Sequence, residues 1–61
     1  MYKKLISVLN ARGISRYKLS KITGIRHPNL YNALNGKMPL YPGWKKRIAE
    51  ALELPEEDLF N

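Results

Sequence analysis

RYKLSKITGIRHPNLYNALN, residues 16–35, decides the fold of this chain. On both sides of Gly24 the apolar residues recur at three- and four-residue intervals, the spacing of short amphipathic helices rather than of strands. Ser15 stands just before the first of them as an N-cap and predicts a helix over Arg16–Thr23, with Leu19 and Thr23 facing inward. Gly24 ends that helix, because glycine accepts the left-handed backbone a tight exit needs. The second helix is expected to start at Pro28, where a missing N–H costs nothing in the first turn, and to stop at Asn35-Gly36. It would bury Leu30, Ala33 and Leu34. Ile22, one place before the inward Thr23, either packs on the preceding helix or lies partly exposed.

Working outward, Leu5, Val8 and Leu9 share one face of a first helix expected over Tyr2–Arg12 and stopped by Gly13. Downstream, the prolines at 39 and 42 make KMPLYPG, residues 37–43, a loop. A further helix is predicted over Trp44–Leu52, with Trp44, Ile48, Ala51 and Leu52 on one stripe. Leu54-Pro55 interrupts the chain, and a last short helix carries Glu56 to Phe60. The pattern describes an all-α fold, a compact bundle of four to five short helices with a central helix-turn-helix. With 61 residues and no repeat or low-complexity segment, it reads as one domain over 1–61, near the lower size limit for an unstapled core.

Composition narrows the function. There is no Cys and only one His, so thiolate sites and disulfides are excluded, and neither metal nor cofactor is expected. The opening MYKKL is unlike a secretory signal, and no apolar run approaches a membrane span, so a soluble cytoplasmic domain without membrane contact is expected. Catalysis is not expected either: the acids cluster at one end, and Ser15 and Ser20 have no adjacent His–acid pair. The charges are segregated. All 11 Lys and Arg lie within residues 1–47, which contain no acid, and all five acids lie within 50–58. A body of +11 followed by a tail of −5, summing to the net +6, is the layout of a polyanion binder.

With its Gly-centred turn at 24, the 16–35 stretch resembles the phage-repressor and Cro-like helix-turn-helix family. The likeness continues through Asn35-Gly36-Lys37 and through IAEALELPEEDLF, residues 48–60, which is similar to the family's fourth helix and its short closing helix. This chain departs from the usual pattern at Ser20, Thr23 and Arg26, where alanine, a larger aliphatic residue and a Ser or Thr cap are common. The resemblance implies a prokaryotic or phage transcription regulator that binds double-stranded DNA with its second motif helix in the major groove. That explains why the helices opening at Arg16, Pro28 and Trp44 refuse the acids that helix dipoles favour: a carboxylate there would face phosphate.

At about 100° per residue, Pro28 and Asn32 point away from the buried face of the recognition helix, with Asn29 and Tyr31 flanking them and His27 at its mouth. These five are the expected base-reading positions. Asn32 is the leading one, because an amide can pair bidentately with adenine. His27 is open to either a base or a phosphate contact, and Tyr31 to a sugar-phosphate contact or to covering the helix flank. Arg16, Tyr17, Arg26, Asn35 and Lys37 are the expected phosphate ligands. So small a module covers one half-site, so two copies on a pseudo-palindromic operator are expected, with Leu59 and Phe60 of the acidic tail as the pairing surface of a weak homodimer. With little room for a ligand or activation domain, promoter occlusion is the expected mode of repression. The alternative is a protein-interaction or antitoxin-type module of the same fold, whose basic face binds an acidic partner.

Overall fold

The computed structural model describes residues 2–60. Five helices follow in order, α1 (Lys3–Arg12), α2 (Arg16–Thr23), α3 (His27–Leu34), α4 (Pro42–Leu52) and α5 (Glu57–Phe60), with no strand among the described residues. α2 packs against both α3 and α4, while α1 packs against α5. Every one of the five contributes to a single core, in which Leu5, Leu19, Leu30, Ile48, Leu52 and Leu59 are the largest fully buried side chains.

The motif helices end as their sequence dictates. Ser15 has an extended backbone and its Oγ accepts from the Lys18 amide at 3.0 Å, satisfying a donor of the first turn that has no helical partner. Gly24, at φ 76°, turns the chain out of α2, and its amide donates back to the Ser20 carbonyl at 3.0 Å. Thr23, where an aliphatic residue is usual, earns its polarity. Its hydroxyl donates to the Leu19 carbonyl at 2.7 Å and accepts from the Ile25 amide at 3.4 Å, so one side chain ties the last turn of α2 to the far side of Gly24.

Several boundaries differ from the sequence expectation. α3 begins at His27, not Pro28: proline sits at the second helical position, and the Arg26 carbonyl takes the first helical bond, from Leu30, at 2.9 Å. α4 begins two residues before Trp44, because Pro42 enters the first turn instead of breaking the chain; the Tyr41 carbonyl accepts from the Trp44 and Lys45 amides at 2.9 and 3.0 Å. Tyr2 precedes α1 in a left-handed conformation, and Glu56 precedes α5. On α4 the buried stripe is Ile48, Ala49 and Leu52, with Trp44 and Ala51 only half-buried. Leu40, from the stretch read as loop, is in the core, and Met38 packs against it. Ile22 is 48% exposed.

The tail is structural. Leu59 is 1% exposed and inside the core, and Phe60 is half-buried edge-on against Tyr2 at 6.1 Å between ring centroids. Leu59 is therefore withdrawn from any pairing surface: α5 buries it within its own chain.

One cation also belongs to the fold. α4 ends with Glu53 left-handed at φ 58°, its amide donating to the Glu50 carbonyl at 3.2 Å and the Leu54 amide to the Ala49 carbonyl at 3.1 Å. The Leu52 carbonyl is taken by Arg12, whose Nη1 donates to it at 2.7 Å across 40 residues of sequence. A guanidinium at a helix C-terminus complements both the orphan carbonyl and the negative end of the dipole.

Candidate nucleic-acid interface

The packing of α2 on α3 places the N-termini of both helices side by side, and with them most of the expected contact residues. His27 is the link. Its ring lies 5.7 Å from that of Tyr17 at 71° and 6.2 Å from that of Tyr31 at 37°, centroid to centroid. Cations from α2 close the row at each end: the Lys21 ammonium is 4.8 Å from the Tyr17 centroid, and the Arg16 guanidinium is 5.6 Å from that of Tyr31. Lys21, Tyr17, His27, Tyr31 and Arg16 thus form one continuous array across the outside of the helix pair. The sequence shows no aromatic stripe, since these rings are ten and four residues apart on two helices; only the turn at Gly24 assembles them.

Tyr17 and Tyr31 remain 57% and 44% exposed, so the array faces solvent. Arg16 is the exception. It is half-buried, and its Nε is buried without a hydrogen-bond partner. Beside it, Ser15, His27 and Tyr31 join Ile6, Leu9 and Ile14 in lining an open groove of about 440 Å³ between α1 and the motif.

On α3, Pro28 is exposed, whereas Asn29 and Asn32 are half-buried. Arg26 is exposed just ahead of the helix, with no side-chain bond to α3. Asn35 and Lys37 are exposed after it, where the Lys37 amide donates to the Asn32 carbonyl at 2.8 Å around Gly36, at φ 80°. None of the first turns of α1 to α4 contains an acid; that of α5 contains Glu57 and Asp58. The ten expected contact residues therefore fall into four places: the array, Arg26 in the turn ahead of α3, α3 itself with Pro28, Asn29 and Asn32, and the exit from α3. Among the described residues no group of three His, Cys, Asp or Glu could hold a metal ion, and no helix is long and apolar enough to cross a membrane.

Two helices joined by a glycine turn, the second presenting Pro28, Asn29 and Asn32 on an acid-free surface, define a helix-turn-helix DNA-binding domain. More narrowly, the model of the Cro/C1-type helix-turn-helix DNA-binding domain matches residues 4–61, and the chain belongs to that family. Comparison with curated proteins and with solved structures gave no match.

Proposed function

We propose that this domain is a sequence-specific transcription regulator of the Cro-like kind, which represses by covering a promoter with α3 seated in the major groove. The acid-free, cation-edged surface shared by α2 and α3 carries this reading, since a duplex lines the groove with phosphate on both walls. In it, His27, Pro28, Asn29 and Asn32 meet base edges with Tyr31 beside them, and the Asn32 amide pairs with adenine. Arg16, Tyr17, Arg26, Asn35 and Lys37 hold the backbone on either side and set the register. Two copies on a pseudo-palindrome in the nucleoid would supply the affinity that one small module lacks.

Selection of bound duplexes from a random library at physiological salt tests the reading. Enrichment of two related half-sites about one helical turn apart supports it in full. A single short site would retain sequence-specific binding and remove the paired operator. Affinity that is indifferent to sequence and to salt would overturn the proposal in favour of a protein-binding role for the basic face.

A further inference from the structure

We propose that Tyr31 is a positioning residue: its ring holds the Arg16 guanidinium in place for the DNA backbone, with His27 fixing the ring. This rests on the DNA-binding reading above and assigns Tyr31 a different task from base recognition.

Three observations support it. The Arg16 guanidinium lies 5.6 Å from the Tyr31 centroid, within the range in which a cation is attracted to the ring face. Its Nε is buried and unpartnered, so Arg16 is held by packing and by the ring rather than by hydrogen bonds at that atom. Tyr31 also neighbours His27, which is itself packed edge-on against Tyr17 of the helix that bears Arg16. The ring is thus located from both helices.

The choice of ring over carboxylate has a chemical logic. An Asp or Glu beside Arg16 would position it more firmly, but would cancel its charge and repel phosphate. A π face orders the arginine and leaves it fully cationic. Lys21 over Tyr17, at 4.8 Å, repeats the device at the other end of the array. A freely moving arginine must lose its rotamer freedom when it meets phosphate; one already stacked has lost part of it beforehand.

Duplex titrations of the full chain over a series of salt concentrations test the role. Tyr31→Leu should weaken binding about two- to five-fold on every duplex, the scale of one exposed cation–π contact, and Tyr31→Phe should recover most of that loss. Arg16→Ala should lower the slope of log affinity against log salt by about one, and should weaken binding less in the Tyr31→Leu background than in the wild type. Three results would each overturn the proposal: no coupling between the two sites, a changed base preference at one position in Tyr31→Leu, or a phenylalanine no better than leucine. Should Tyr31→Leu fail to fold, the Arg16 Hε resonance of the free wild-type protein decides: a ring-current displacement upholds the stack, and a random-coil position refutes it. A wild type that binds no duplex removes the proposed function and this inference together, whereas a wild type that binds with an uncoupled pair removes this inference alone.

Discussion

Arg12→Met deletes the hydrogen bond to the Leu52 carbonyl and keeps most of the length of the aliphatic stem. At 2.7 Å the bond is charge-assisted, a type worth about 1.5–3 kcal/mol when one partner is ionised. Arg12 is exposed, so solvent screening and the entropy of ordering a long side chain reduce that figure, to a net of about 1–1.5 kcal/mol. In a domain of this size each kcal/mol moves the midpoint by roughly 4–8 °C, so the variant should melt about 4–12 °C lower. Duplex affinity measured well below the transition should be unchanged, as should its salt slope, because this cation serves the fold. Circular-dichroism melting paired with duplex titration reads both quantities on one preparation. The reasoning is refuted if the variant melts within about 2 °C of the parent, or if its salt slope falls by about one as a phosphate ligand's would.

Other substitutions probe the motif itself. Asn32→Ala should relax preference at a single base position by about 1–3 kcal/mol, which a repeated binding-site selection reports; an unaltered preference at every position would exclude Asn32 as a reader. Gly24→Ala places a Cβ in open space but at φ 76°, so strain alone should cost about 1 kcal/mol, with Gly24→Asn milder; equal melting of the alanine variant and the parent would show that the turn relaxes. Ser15→Ala loses the cap on the Lys18 amide and should destabilise by about 1 kcal/mol in urea unfolding, with an unchanged midpoint as the contrary result.

The motif was legible in the sequence where local chemistry decides it. Ser15 and Gly24 bound α2 at both ends, and each acts on residues within four positions of itself. Pro42 misled at α4, because a residue that breaks a helix interior is equally at home in a first turn, and only the surrounding packing selects between the two. At α3 the sequence reading puts Pro28 in the first turn and misses the start by one residue. Leu40, Ala49 and the Arg12–Leu52 bond could not be read at all, since each depends on a neighbour brought in from far along the chain. For the candidate site the division is similar. Charge segregation marked the partner as anionic, and helical periodicity put Pro28 on the exposed side of α3, whereas Asn32, expected opposite the buried face, is half-buried. That Tyr17, His27 and Tyr31 stand in one row depends on the angle between two helices, which no single periodicity encodes.

The edge-on meeting of Tyr2 and Phe60 closes the bundle on itself: the first helix and the last lie against each other. Joining residues 2 and 60 through a linker that spans them would yield a circular protein built around the same core. For a chain of this length, pre-closing the loop removes unfolded-state entropy worth roughly 3–4 kcal/mol. Such a circle would carry the α2–α3 surface intact, and its backbone could be reopened at an exposed turn to make a permuted domain with the same α2–α3 pair.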